Sequence, residues 1–265
     1  MGVAAGPAVR HRADVLRLRR GAGNWPFPEP GLVALGKNHI LLLDWEAKIY
    51  LTNTPLRWAD VAAGTYDDNE VIPQAHRIKA YGGTAMLGID HEMDLSRADH
   101  GTPEEYVAMY RHIRQVFAQE GVHNVVWTWV PTGDVWYENG PLTKRFYPGN
   151  AYVDWVGFDP YNYSYCTNQP WHTFSQTLDM FYTWTAANGM GSKPLLVQEY
   201  GTVYDESNSA ASNAWNTGIP TALAKHPRIK AVVRGDSDTN CRLRIDSGAG
   251  MVDSFKAAGR AVPRP

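Results

Sequence analysis

Short, unbroken apolar runs alternate along this chain with longer stretches in which apolar residues recur every three or four positions. Six of the runs are strand-sized: residues 39–45, 84–90, 124–130, 152–158, 194–198 and 229–233. Strands buried on both faces read as continuous apolar runs rather than alternating ones, so these predict a parallel sheet covered by helices. Helical spacing is carried by residues 69–79, by a segment opening at Thr102 and ending at Gly121, and by 171–188 and 210–225. In the second of these, Thr102 is the expected N-cap, Pro103 suits the first turn, and Glu104 and Glu105 face the positive end of the helix dipole. Its apolar stripe is Tyr106, Val107, Tyr110, Ile113, Val116 and Phe117. The repeated strand–helix order predicts α/β architecture, and the length suits a (β/α)8 TIM barrel. Two more strands are needed before residue 35. Gly2-Val-Ala-Ala5 and Asp14-Val-Leu-Arg-Leu18 are the candidates there, so a compressed or incomplete first unit is expected. No repeat, low-complexity stretch or linker interrupts the chain, which predicts one domain over residues 1–265.

Composition narrows the class. With 265 residues, 44% hydrophobic and 20% charged, the chain has material for a core and is not disordered. Lys and Arg number 25 against 27 Asp and Glu, a net charge of −2, which offers no field for a phosphate backbone, so no nucleic-acid partner is expected. The longest apolar stretches are strand-sized, so no membrane span is expected either. Ten Trp, fourteen Tyr and seven Phe exceed what a soluble core requires, and flat aromatic faces suit the stacking of sugar rings. The basic N-terminal stretch holds no apolar run long enough for a signal-peptide core. Cys166 and Cys241 are too far apart in sequence, and too isolated from other ligands, for a zinc site. Two buried thiols and one disulfide are the open readings. The strand assignment places both cysteines in loops at one end of the domain, which favours the disulfide and an oxidising compartment.

In a barrel, functional groups stand at the C-terminal ends of strands. Those ends carry His91-Glu92-Met93-Asp94 and Gln198-Glu199-Tyr200-Gly201, each placing a Glu where an apolar strand runs out into a loop. The strand ends between them supply Trp127, Trp129, Asp159 and Tyr161. Two carboxyl groups among aromatic rings are what glycoside hydrolysis needs, one protonating the leaving oxygen and the other attacking the anomeric carbon or activating water. Trp45 and Trp58 either line such a cleft or pack. The histidines His91, His100, His123 and His172 are scattered, with only His91 at a strand end, so neither a metal nor an organic cofactor is expected.

From about Trp25 to Gly259 the sequence resembles glycoside hydrolase family 26, whose best-known members are endo-β-mannanases. Five ordered motifs carry the resemblance: His91-Glu92-Met93, Asn124 to Trp129, Tyr147-Pro148-Gly149-Asn150, Asp154 to Asn162, and Glu199-Tyr200-Gly201. The resemblance implies Glu92 as general acid/base and Glu199 as nucleophile of a retaining double displacement. It also implies His91 hydrogen-bonded near the reacting sugar or the nucleophile, and Tyr161 steadying the Glu199 carboxylate. A retaining pair stands roughly 5–5.5 Å apart, and an aromatic wall such as Trp127 or Trp129 would raise the acid's pKa by desolvation. Asp159 and Trp45 complete the expected support. The segment from Asp238 to Asp246 resembles the family's closing loop and sets Cys241 beside the loop of Cys166, giving the disulfide a second ground.

Two departures bear on activity. Asp94 to Gly101 lacks the Trp-rich stretch that follows His-Glu-Met in the mannanases, so mixed-linkage glucan and β-1,3-xylan stand beside mannan as substrates. The eighth strand ends in Arg234-Gly235-Asp236-Ser237 where the family places aromatics. An arginine there would favour an ionised carboxylate beside it. The tripeptide Arg234-Gly235-Asp236 also spells an adhesion motif, but it directly follows a buried strand rather than forming an exposed tip. The leading expectation is therefore an extracellular, monomeric retaining endo-glycanase acting on a β-linked polysaccharide. A carbohydrate-binding pseudoenzyme with weak or lost turnover is the alternative.

Overall fold

The computed structural model describes residues 13–17, 28–49, 54–95, 99–133, 135–167, 169–237 and 241–262. They fall into two compact units, one of residues up to 131 with 141–155, the other of 132–140 with 156 onward. The class is α/β with parallel strands, an incomplete (β/α)8 series in its order of strands and helices.

In the first unit, strand β1 (Ala13–Arg17) pairs in parallel with β2 (Leu41–Glu46), β2 with β3 (Ala85–Ile89), and β3 with β4 (Val125–Trp129). Asp14-Val-Leu-Arg-Leu18 thus contributes a strand, one residue earlier than read, while Gly2-Val-Ala-Ala5 lies outside the described residues. Every residue of β3 is buried, as a run covered on both faces should be. Helices α1 (Pro30–Gly36), α2 (Trp58–Ala62), α3 (Ile72–Tyr81) and α4 (Pro103–Gln119) belong to the same unit. Residues 69–71 belong not to α3 but to a wider π turn over Asp67–Val71, directly ahead of the Ile72-Pro73 start of the α-helix.

The N-terminus of α4 carries a full capping box. Thr102 Oγ1 accepts from the Glu105 amide and Glu105 returns a carboxylate to the Thr102 amide, so two otherwise orphaned donors are satisfied. Its buried face is Tyr106, Met109, Tyr110, Ile113, Val116 and Phe117. Val107, expected in that stripe, is only half-buried, and Met109 takes its place because it lies one turn from Tyr106 on the same side.

In the second unit β5 (Trp155–Phe158) pairs in parallel with β6 (Leu195–Thr202), and β6 with β7 (Ile229–Arg234). The β6–β7 register shifts between Val232 and Arg234, the kind of irregularity that re-aims side chains near a site. Helix α5 (Val135–Arg145), whose residues 135–140 belong to this unit and 141–145 to the first, is broken at Asn139, two residues before Pro141, which lacks an amide to donate. Helix α6 (Phe174–Thr185) starts later than read, at a second capping box made by Thr173 and Gln176, and passes into a π turn over Ala186–Met190. The segment read as one helix over 210–225 is two, α7 (Ser209–Thr217) and α8 (Ile219–Lys225), because Gly218 and Pro220 interrupt it. Helix α9 (Met251–Ala261) follows. Cys166 and Cys241 are joined in a disulfide across 75 residues of sequence, with Cα atoms 5.8 Å apart.

Candidate active site

The turn after β3 bears the first expected carboxyl group. Asp90 and Glu92 both have positive φ, 50° and 54°, the left-handed region that side chains rarely enter. Such strain persists only where the surroundings over-determine it, and here they do. The Glu92 amide donates to the Val130 carbonyl at 2.8 Å and the Asp90 amide to the Trp45 carbonyl at 2.9 Å. The fully buried Asp90 carboxylate accepts from Trp58 Nε1 at 2.6 Å and lies 3.5 Å from His100 Nδ1. Asp94 Oδ2 accepts from Thr143 Oγ1 at 2.8 Å. Tyr106 of α4 donates to the Ile89 carbonyl at 2.8 Å, fastening the end of the strand itself. Met93 and Asp94 are buried and His91 nearly so, while Glu92 keeps partial exposure. The fold thus clamps both sides of Glu92 and leaves its side chain reachable.

The second carboxyl group lies in the other unit, inside β6 rather than past its end, since that strand continues to Thr202. Glu199 Oε2 accepts from the Tyr161 hydroxyl at 2.6 Å. Its amide donates to Asp159 Oδ1 at 2.9 Å, so Asp159, buried at 2% exposure, anchors the backbone on which the carboxylate stands. A short parallel pairing of Tyr161-Asn162 with Gly201-Thr202 lays the tyrosine beside that strand. Burial, and after it the Glu199 charge, pushes the Tyr161 phenol far above its ordinary 10, so it remains a hydrogen-bond donor throughout the working range.

Of the residues expected from sequence, Asp159, Tyr161 and Glu199 meet in the second unit, and His91 and Glu92 are neighbours in the first. The tryptophans fall elsewhere. Trp45 is buried with its ring 6.2 Å from Phe117 of α4, and Trp127 stands 5.2 Å from Phe117 and 6.1 Å from Tyr110. Trp129, 1% exposed, meets Tyr147 edge-on at 5.0 Å. Strand alternation is the reason: Trp127 and Trp129 share the face of β4 turned to the helices, opposite Thr128. These three are buried in the core. Trp58 packs as well, and through Asp90 it supports the Glu92 turn.

Arg234, expected to place a cation beside a carboxylate, donates to the Leu243 carbonyl at 2.6 Å, lies 5.7 Å over the Tyr200 ring and feels the charge of Asp236. Burial lowers its pKa. Its charge is directed at the segment that carries Cys241. Sequence reading missed Asp90 and Thr143, and the contacts that Trp58 and His100 make to Asp90, since a buried support has no motif of its own. The adjacency of Asp90 to His91-Glu92 was the available sign. Among the described residues no group of His, Cys, Asp and Glu is arranged to hold a metal ion, and no helix is long and apolar enough to cross a membrane.

Comparison with known proteins bears on the fold and the family. The chain is 27% identical over 232 residues to Endoglucanase H of Acetivibrio thermocellus, covering 83% of this chain and 24% of that protein. Among solved structures it is similar to an endo-β-1,4-mannanase from Cellulomonas fimi, with TM-score 0.61 and 19% identity over 85% of this chain and 57% of that one. A family 26 β-mannanase from Bacteroides ovatus gives TM-score 0.58 and 17% identity, over 86% of this chain and 70% of that one. The chain therefore spans about a quarter of the curated relative and little more than half of the Cellulomonas mannanase. At these identities the solved structures speak for the fold alone. The sequence profile described as Glycosyl hydrolase family 26 matches residues 93–232, from the residue after Glu92 into β7, and takes in Asp159, Tyr161 and Glu199. That match spans more than half of the chain, and on it the protein belongs to glycosyl hydrolase family 26.

Proposed function

We propose that this chain is a retaining endo-glycanase that hydrolyses a β-linked polysaccharide by double displacement, Glu199 being the nucleophile and Glu92 the general acid/base. The observation that carries the reading is the Glu199 carboxylate held by the Tyr161 hydroxyl at 2.6 Å on a backbone anchored by Asp159. A phenol that stays protonated fixes one carboxylate oxygen and leaves the other for attack. In the first step Glu199 bonds to the anomeric carbon while Glu92 gives its proton to the departing glycosidic oxygen. In the second, Glu92 takes a proton from water, whose oxygen replaces the Glu199 ester, and both groups return to their starting states. His91, next to Glu92 on the clamped turn, is assigned to hydrogen bonding near the reacting sugar. No metal or organic cofactor enters this scheme.

Mannan is the first substrate to try, since both solved structures named above are mannanases by name; mixed-linkage glucan and β-1,3-xylan follow. An extracellular place suits both the disulfide and a polymeric substrate, and a single monomeric catalytic domain suits the βα series. Reducing-sugar release from the three polysaccharides, with Glu199→Ala run alongside, tests the reading. The parent is expected to cut one of them and the variant none. Arg234 at the end of β7, turned toward Leu243 and Tyr200, favours a second reading as a carbohydrate-binding protein without turnover. Polysaccharide binding by a folded parent that releases no product would select it.

A further inference from the structure

We propose that Gly235 is a positioning residue for the nucleophile: together with Gly201 it forms the slot in which Tyr161 must lie to donate to Glu199. The inference rests on the reading of Glu199 as the nucleophile. The geometry comes from three strands. Tyr161 pairs with Gly201, two residues beyond Glu199 on β6. Past the register shift of β7, the Gly235 amide donates to the Tyr200 carbonyl at 3.0 Å, which brings Gly235 to the same place. A Cβ on Gly235 would stand 2.0 Å from the Tyr161 hydroxyl oxygen and 2.9 Å from Cζ; one on Gly201 would stand 3.0 Å from Cδ1 and Cε1 of the same ring. The ring is also stacked on Tyr163 at 5.3 Å and 26°.

Magnitudes decide what an added methyl would do. Ordinary contact begins at 3.4 Å, so the hydroxyl would have to retreat by roughly 1.4 Å from its 2.0 Å approach. A hydrogen bond of 2.6 Å does not survive that displacement. Neither Gly201 nor Gly235 has the positive φ that would itself exclude alanine. The requirement is for space, and an alanine substitution isolates it. The eighth-strand sequence Arg234-Gly235 thus has two separate uses, the arginine toward Leu243 and the glycine toward Tyr161.

The test compares Gly235→Ala, Tyr161→Phe, the double variant and Gly83→Ala. The last inserts a comparable clash, a Cβ 2.6 Å from a tyrosine hydroxyl, at Tyr81 in the other unit. On the polysaccharide cut by the parent, Gly235→Ala is expected to lose roughly 10- to 100-fold in kcat with KM within about threefold, the scale of a 1 Å misplacement. The double variant should fall no more than about threefold below Tyr161→Phe, and Gly83→Ala should keep the parent kcat. Crystals of Gly235→Ala should show the Tyr161–Glu199 oxygen separation beyond 3.5 Å. A separation still within hydrogen-bond distance, or losses that multiply in the double variant, would overturn the inference. Should Gly235→Ala not fold, Gly201→Ala, with its milder contact, is expected to show the same kcat loss in smaller degree, and parent kcat there would overturn it equally. A lengthened separation in a protein that cuts nothing even as the parent would uphold the slot and sink the assigned activity.

Discussion

Asp90 shows how much of the site depends on one buried side chain. Its carboxylate takes the Trp58 indole hydrogen at 2.6 Å in a place with no solvent exposure. Trp58→Phe keeps the ring's packing against Tyr106 and Phe146 but withdraws a donor from a buried charge. The expected cost is about 1.5–3 kcal/mol in denaturant unfolding, with a fall in kcat as the turn bearing Glu92 loosens. A second residue-scale expectation concerns Tyr200, whose phenol burial pushes up to about 12 against the opposing pull of Arg234. Its folded pKa lies above the unfolded value of 10, so the contribution is whole below pH 10 and is lost as pH rises toward 12. Unfolding free energy should therefore decline across that window, by an amount of order 2 kcal/mol that Tyr200→Phe removes. At this scale the sequence was partly readable. Glu199 and Tyr161 came from motifs, whereas Gly235 stood in the Arg234-Gly235-Asp236 tripeptide without any sign of its place beside Tyr161, because a need for empty space leaves no chemical mark on the residue that supplies it.

At the scale of elements, local signals were legible where a cap or an unbroken run spelled them out. Thr102-Pro103-Glu104-Glu105 announced α4, and Thr102→Ala is expected to cost about 1 kcal/mol in thermal or denaturant unfolding. The six core runs announced β2 to β7. Less legible were the π turns at Asp67–Val71 and Ala186–Met190 and the break between α7 and α8, each a local departure inside a periodic pattern. The burial of the tryptophans has a different reason: alternation sends every second residue of a strand, its end included, to the helices. Gly259, exposed in α9 with nothing within 4 Å of where a Cβ would stand, offers an element-scale gain. Gly259→Ala should stabilise the protein by roughly 0.5–1 kcal/mol, read as a higher unfolding midpoint with unchanged kinetics.

For the molecule as a whole, the Cys166–Cys241 bridge ties the loop after β5 to the segment after β7, which Arg234 also holds through Leu243. Closing a 75-residue separation removes on the order of 4 kcal/mol of chain entropy from the unfolded state, of which native proteins commonly realise 2–4. Cys166→Ser, or reduction of the parent, should lower the unfolding free energy by that amount, measured by denaturant titration with and without reductant. The βα order was legible throughout because each parallel strand must be covered on both faces. At the beginning of the series β1 was legible from the short run Asp14-Val-Leu-Arg-Leu18, though the basic stretch around it offers no longer apolar run to read.

The left-handed turn at Glu92 has a consequence for how such a protein would drift once its activity no longer mattered. A non-glycine residue at φ 54° holds the backbone against its own preference at a cost of order 1 kcal/mol. Glycine relieves that tension, so Glu92→Gly is expected to be inert yet at least as resistant to heat as the parent. Selection for folding alone would let that position relax toward glycine, the residue that adopts such an angle without strain.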